Sequence, residues 1–286
     1  MGLTVAQCLA RADELSPAVD NARLETQLLL AAAMACKREQ LLTWPEQELT
    51  AQQVQEFNDC FARRLAGEPI AYITGHREFW NLDLLVDKRV LIPRPETELL
   101  VELAPRLLAE RPQPQPQPPH PVLLDLGTGS GAIALALQQQ LPQAKVWATD
   151  SSKDALDVAR LNAERLGMTE ISFLQCSWCE GLGGQMFEMI LSNPPYVAEG
   201  DPHLAEGDLR FEPGCALVAS GDGLDAIRAI SAQARKHIRN GGWLLLEHGA
   251  AQRAAVAAIL AHDGYQQIRC WQDYAGLDRV SAGRIA

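Results

Sequence analysis

The chain has 286 residues, of which 47% are apolar, and a formal net charge of -11 at pH 7. That is enough apolar material for one large domain, or for one α/β domain with a small accessory one. The acidic balance argues against a protein living on the phosphate backbone, where clustered Lys and Arg supply most of the affinity, but leaves room for a nucleic-acid substrate in a locally basic cleft. Met1 to Ala10 lack the basic region and apolar run of a signal peptide, and no stretch approaches the ~18 apolar residues of a membrane span. A cytoplasmic protein without a membrane partner is therefore expected. The seven cysteines are scattered. The close pair Cys176 and Cys179 has metal-ligand spacing but no second pair or His cluster beside it, so reduced structural thiols and no metal are expected.

In chain order, residues 1 to about 66 read as helices. Thr4 with Gln7 and Thr50 with Gln53 fit the capping box, and Ser16-Pro17 places a capping hydroxyl before a first-turn proline. Leu24, Leu28, Ala31 and Ala32 recur on one helical face, and Gly67 is a natural stop for the last helix. From 76 to 93, Phe79, Trp80, Leu82, Leu84, Val86, Val90 and Ile92 suggest two short strands around Asp87-Lys88. A helix follows from about Glu96 to Glu110. The Pro-Gln run from Pro112 to Pro121 should be extended and solvated, an exposed loop inside the second domain.

From Val122 onward strands and helices alternate. Val122–Leu126, Lys145–Thr149, Ile171–Gln175, Met186–Ser192 and Trp243–Glu247 are short apolar runs bounded by turn residues. Helical patterns lie at about 131–140, 153–166, 224–239 and 251–262, and two β-like segments near 266–272 and 278–285 follow. This alternation predicts an α/β fold with a mostly parallel, doubly wound sheet.

Leu123-Leu124-Asp125-Leu126-Gly127-Thr128-Gly129-Ser130-Gly131 runs from a buried strand into a helix. Glycines at such a turn let the backbone approach a ligand closely. Asp150 ends the next strand, where a carboxylate can accept hydrogen bonds from both ribose hydroxyls. NAD is the nearest rival ligand, but its third glycine falls one position later than here. The acidic Asp125 suits a loop organised near a cationic sulfonium, which favours S-adenosylmethionine.

Met189-Ile190-Leu191-Ser192 is a buried strand ending in Asn193-Pro194-Pro195-Tyr196, at the sheet edge where doubly wound folds hold ligands. The bland alternative is a proline-terminated strand. An amide or aromatic amine nitrogen is a poor nucleophile because its lone pair is delocalised. Asn193 can accept one of its N–H groups through the side-chain oxygen, and the Pro194 carbonyl, held by the Pro-Pro geometry, can accept the other. Both would orient the nitrogen for in-line attack, with Tyr196 as a flat stacking face. No strong base is needed, since the proton can leave after methyl transfer. The tetrapeptide alone fits two substrates: adenine amino groups in nucleic acid and glutamine amides in protein.

The segments Gly67-Glu68-Pro69-Ile70-Ala71-Tyr72-Ile73-Thr74-Gly75, Leu91-Ile92-Pro93-Arg94-Pro95-Glu96-Thr97-Glu98, Asp125–Gly131, Asn193–Tyr196 and Asp273-Tyr274-Ala275-Gly276-Leu277-Asp278-Arg279 together resemble the release factor glutamine methyltransferases, the HemK/PrmC family. The likeness runs over nearly the whole chain, and the first, second and last segments set it apart from adenine methyltransferases. It implies a Rossmann-like S-adenosylmethionine-dependent methyltransferase domain at 96–286, preceded by a helical substrate-binding domain at 1–75 and a β-hairpin linker at 76–95. It also implies methyl transfer to N5 of the glutamine in the Gly-Gly-Gln motif of class I peptide chain release factors, with no direct nucleic-acid partner. Residue by residue, Gly127, Thr128, Gly129, Ser130 and Gly131 match the cofactor loop and Asp150 the ribose carboxylate. Trp178 matches the aromatic residue beside the adenine, and Asn193–Tyr196 match the glutamine clamp. The Pro-Gln run looks unlike a typical member and reads as a local insertion. An adenine-amino methyltransferase and a non-enzymatic cofactor-binding regulator stand as the alternatives.

Other residues suit structural readings. Trp178 could be core. Arg94, Glu96 and Glu98 divide between structural pairing and site contact. His248 reads as packing rather than a base, and the acidic stretch from Glu199 to Glu212 as a mobile loop rather than a metal site.

Overall fold

A computed structural model describes residues 2–16, 19, 21–110, 120–205 and 207–286. Pro17 and the Pro-Gln residues 112–119 lie outside the described residues. The chain divides into two compact units, Met1–His76 with His203–Phe211, and Arg77–Pro202 with Glu212–Ala286.

The first unit is helical: α1 (Val5–Leu9), α2 (Ala12–Leu15), α3 (Ala22–Ala33), α4 (Arg38–Thr43), α5 (Ala51–Leu65) and α6 (Ile70–Thr74). Both expected capping boxes form. The Gln7 N–H donates to Thr4 Oγ1 at 3.3 Å while Gln7 Oε1 accepts the Thr4 N–H at 2.9 Å, and Thr50 with Gln53 repeats the exchange at α5. Leu15, Leu29, Leu30, Leu41, Phe57 and Phe61 form the core.

Three details differ from expectation. The buried face of α3 is Ala22, Thr26, Gln27, Leu29, Leu30, Ala31 and Ala33; of the expected residues Ala31 is buried and Leu28 half-buried, whereas Leu24 and Ala32 are exposed. An apolar count missed this face because Thr26 can be buried once its hydroxyl donates to the Ala22 carbonyl at 2.8 Å. Ser16 closes α2, its N–H bonded to the Ala12 carbonyl, so Asn21 and not Ser16 precedes α3. Gly67, at φ +92°, does stop α5, but α6 follows it between Pro69 and a left-handed Gly75.

The second unit begins at Arg77, inside β1 (His76–Phe79), which pairs with β2 (Leu82–Leu85). Its two-residue turn is Trp80-Asn81, not Asp87-Lys88. Both residues have positive φ, +51° and +59°, as a tight hairpin turn with the right twist demands. The Asp87 carboxylate instead takes the backbone and guanidinium N–H groups of Arg89 and closes a local turn.

Next come α7 (Glu98–Ala109), β3 (Val122–Leu126), α8 (Ala132–Gln140), β4 (Lys145–Asp150), α9 (Lys153–Arg165), β5 (Ser172–Gln175), β6 (Phe187–Ser192) and the short β7 (Val197–Ala198). After these lie α10 (Gly214–Leu217), β8 (Val218–Ala219), α11 (Asp225–Ala234), β9 (Ile238–Glu247), α12 (Arg253–His262), β10 (Gln266–Gln272) and β11 (Asp278–Arg284). The main sheet has the order β10-β11-β9-β6-β3-β4-β5. β9, β6, β3, β4 and β5 are parallel, while β11 runs antiparallel between β9 and β10. The expected α/β, Rossmann-like class is thus observed.

Side chains alternate between two cores. Leu123, Met189, Leu191 and Leu245 pack with Leu100, Leu103 and Leu135 on one face. Leu124, Ile190, Leu244 and Leu246 pack with Ile227, Ile230 and Leu260 on the other. A period of two in strands sandwiched between helices gives two such layers from one apolar run. One boundary moves: α11 ends at Ala234 and β9 starts at Ile238, before the expected Trp243. Gly242 permits this, because a Cβ there would lie 2.7 Å from the Glu188 carbonyl oxygen. Among the described residues no helix is long and apolar enough to cross a membrane.

Candidate active site

The chain starts the parallel sheet at its centre with β3, moves outward through β4 and β5, then returns to the other side of β3 as β6. The loops leaving β3 and β6 therefore diverge, and a crevice opens at their carboxyl ends. A cavity there is lined by Gly127, Gly129, Asp150, Trp178, Asn193, Pro194 and Pro195, with Val90, Leu91, Ser152 and Ala216 among its other walls.

The loop after β3 folds back on β4, since the Gly127 and Thr128 N–H groups both donate to the Thr149 carbonyl at 2.9 Å. Gly127 stands at φ +71° and Gly131 at φ +87°, backbone that costs a side-chain-bearing residue strain. Asp125 organises this loop from below. Fully buried, its Oδ2 accepts the Thr128 hydroxyl at 2.6 Å and the Ala134 N–H at 3.2 Å. Burial pushes its carboxyl up to about 7. Thr128 is thus a support of the loop, and Thr128, Ser130 and Gly131 stand behind the residues that line the cavity. The Ser130 carbonyl accepts the Asn162 side-chain amide at 2.9 Å.

Asp150, at the end of β4, accepts the Gly129 N–H at 3.0 Å on one oxygen and the Ser152 N–H at 2.9 Å on the other. Burial raises its pKa, and these N–H bonds oppose the rise. Trp178 adopts φ +47°, rare for an aromatic residue and a sign of a position held by its surroundings. Its ring passes so near Gly127 that a Cβ there would sit 3.5 Å from Trp178 Cζ3. Trp178 thus packs against a core and lines the cavity as well.

Asn193 follows β6, which Ser192 anchors by donating its hydroxyl to the Leu126 carbonyl at 2.7 Å. Its Nδ2 donates to Thr97 Oγ1 at 3.0 Å. Tyr196 stands apart from the lining of this cavity. Its hydroxyl donates to Glu247 Oε1 at 3.1 Å, and its carbonyl accepts Gln252 Nε2 at 3.1 Å. Burial and the neighbouring Glu247 both hold the Tyr196 hydroxyl protonated.

Sequence reasoning singled out neither Thr97 nor Glu247 for this site. Thr97 Oγ1 donates to Glu247 Oε2 at 2.7 Å. Glu247 is fully buried and burial pushes it up to about 7. A usable signal was present: a carboxylate ending the apolar run Trp243–Leu246 reaches the same sheet edge as Ser192, which is paired with Leu246.

Arg94, Glu98 and His248 each have a structural partner. Arg94 pairs with Glu212, whose other oxygen accepts the Ile92 N–H at 2.9 Å. Glu98 accepts the Trp80 N–H at 2.9 Å. His248 is buried with Nδ1 2.9 Å from the Gly249 carbonyl and Nε2 2.7 Å from Ser281 Oγ, and burial lowers its pKa. Of the acidic stretch, Asp208 faces Arg64 at 3.4 Å within the helical unit. All seven cysteines are free thiols. Cys176 donates to the Trp178 carbonyl, and burial pushes Cys179 up to about 12. Among the described residues no group of three or more His, Cys, Asp or Glu is placed to hold a metal ion.

Two family models match: the PrmC N-terminal domain over residues 7–75 and the methyltransferase small domain over residues 101–207. A release factor glutamine methyltransferase of Pseudomonas aeruginosa is 47% identical over 279 residues, 98% of each chain. One of Vibrio cholerae is 47% identical over 287 residues, 99% of this chain and 98% of the relative. Among solved structures, a methyltransferase from Pyrococcus furiosus has the same fold, with a TM-score of 0.51 at 20% identity, over 79% of this chain and 98% of that one.

Proposed function

The chain belongs to the release factor glutamine methyltransferase family, and from that premise we propose that it methylates N5 of the glutamine in the Gly-Gly-Gln motif of class I peptide chain release factors, with S-adenosylmethionine as donor. The observation that carries this reading is the meeting of Asn193, Pro194 and Pro195 with Gly127, Gly129, Asp150 and Trp178 around one cavity.

The residues present fit the donor. Bare backbone at Gly127 and Gly129 admits a ligand closely, and Trp178 offers a plane for an adenine. Asp150 spends one lone pair of each oxygen on backbone N–H groups, so further acceptor sites remain for ribose hydroxyls. When bound, S-adenosylmethionine supplies an electrophilic methyl group on a sulfonium sulfur.

The chain's own part is to bind and orient. Asn193 Oδ1 and the Pro194 carbonyl accept the two amide N–H groups and turn the nitrogen's weak lone pair toward the donor. Tyr196, beside this cavity with its hydroxyl tied to Glu247, would offer its ring face to the planar amide as the amide enters. Neither His248 nor any other base needs to act before attack, because the nitrogen's proton leaves to water once the new N–C bond has formed. The partner is a protein, and with a net charge of -11 no nucleic-acid substrate is invoked. The same reading puts the enzyme in the cytoplasm with its substrate.

The deciding experiment combines the purified chain, S-adenosylmethionine and a release factor, followed by mass spectrometry. One added methyl group on the Gly-Gly-Gln glutamine is expected. No added methyl group, or methylation that survives Gln→Ala at that position, overturns the reading.

A further inference from the structure

We propose that Thr97 and Glu247 form a positioning pair that dictates which end of the Asn193 side-chain amide faces the substrate, an inference that rests on the clamp role given to Asn193 above. Burial pushes Glu247 up to about 7, so above that pH its carboxylate is ionised and only accepts, and a threonine hydroxyl has a single proton to give. Glu247 receives that proton at Oε2, 2.7 Å from Thr97 Oγ1. Its other oxygen takes the Tyr196 hydroxyl at 3.1 Å. Thr97 has then only lone pairs left for its remaining neighbour, Asn193.

Asn193 can meet those lone pairs only through Nδ2, which lies 3.0 Å away. The planar amide thereby keeps Oδ1 on its opposite branch, and Asn193 lines the cavity. An inverted amide would set Oδ1 against an oxygen with no proton to offer. It would also present N–H groups to the N–H groups of the incoming substrate, two donors facing one another. The direction of the whole chain, Asn193 to Thr97 to Glu247, is thus set by the charge at its far end.

The same device appears once more in this sheet. Asp125 takes the Thr128 hydroxyl at 2.6 Å and shapes the glycine loop. In both places a fully buried carboxylate at or near the end of a central strand tells a hydroxyl which way to point. Buried polar chains of this kind rigidify a site when every member is satisfied. The charged and titratable groups facing Glu247 are Arg279 from β11, Tyr196, and Glu96 from the turn before α7.

The test uses the full chain, S-adenosylmethionine and a release factor, with kcat, KM, donor Kd and melting temperature measured together. Thr97→Val keeps the shape but removes the acceptor. It should lower kcat by about 10- to 100-fold with donor Kd within about twofold of wild type. Thr97→Ser restores the hydroxyl and should return kcat to within about threefold of wild type. Wild-type kcat in Thr97→Val, or equal damage in Thr97→Ser, overturns the pair.

If Thr97→Val does not fold, Glu247→Gln decides. A neutral amide can turn either end to Thr97, so kcat should fall by about tenfold, and any acid limb near pH 7 should flatten. Unchanged kcat and an unchanged pH profile in Glu247→Gln overturn the inference. A wild-type chain that leaves release factor unmethylated, or an Asn193→Ala variant as active as wild type, instead sinks the underlying clamp assignment.

Discussion

The Gly129 N–H donates to the Asp150 carboxylate across 3.0 Å, tying the centre of the glycine loop to the end of the neighbouring strand β4. The residue expected to hold the donor's ribose is therefore also a brace for the loop that cradles it. Loss of Asp150 removes both at once. Asp150→Ala should weaken S-adenosylmethionine binding by about 10- to 100-fold, while kcat at saturating donor falls much less. Isothermal calorimetry with the donor checks this, and an unchanged Kd would contradict it.

Asn193→Ala should behave in the opposite manner. The side chain is assigned to the reacting nitrogen, so its removal should cut kcat by about 10²- to 10³-fold and leave donor Kd within about threefold. Steady-state kinetics with a release factor, together with donor titration, separates the two quantities. Parallel losses in kcat and donor affinity would refute the assignment.

Asp125 gives a pH prediction whose sign follows from burial. Its folded carboxyl titrates at about 7 against an ordinary 3.8. Between those values the folded chain holds a proton that the unfolded chain has released. The stabilisation is complete below about pH 4 and is lost progressively up to about pH 7. Glu247, raised from 4.5 to about 7, adds a slope of the same sign. The decline in melting temperature between pH 5 and 7 should be shallower in Asp125→Asn than in the wild type. Identical slopes in thermal melts would show that Asp125 is charged in both states throughout that range.

Gly131 and Gly167 share positive φ, +87° and +70°, but differ in surroundings. A Cβ on Gly131 would lie 3.1 Å from Leu135 Cδ1 and 3.3 Å from Ala159 Cβ, whereas at Gly167 it meets nothing within 4 Å. Gly167→Ala should cost about 1 kcal/mol from backbone strain alone. Gly131→Ala should cost about 2–3 kcal/mol and also disturb the loop that Gly127 and Gly129 belong to. Urea denaturation of the two variants provides the comparison.

Much of the site was legible before folding because its signals are local in the chain. Glycines after an apolar strand, a carboxylate at the end of the next, and Asn193-Pro194-Pro195-Tyr196 after a third all sit on elements whose periodicity reveals their ends. Parallel strands start on one side of the sheet and finish on the other, so residues at those ends must share an edge. Local signals also misled. Asp87-Lys88 looked like the hairpin turn, yet the two residues with positive φ are Trp80 and Asn81. The polar Thr26 concealed the buried face of α3.

By itself, then, the sequence determined the alternation of strands and helices, the glycine loop, Asp150, the clamp tetrapeptide and the family resemblance. Each depends on neighbours within a few residues or on spacing along one element. Tertiary structure alone decided that Trp178 both packs and lines the cavity, that Tyr196 stands beside that cavity tied to Glu247, and that Thr97, 96 residues before Asn193, receives its amide hydrogen. Such pairings depend on which element a sheet brings alongside, and on which lone pair is left over once every proton has been spent. Neither quantity is written in any single stretch of chain.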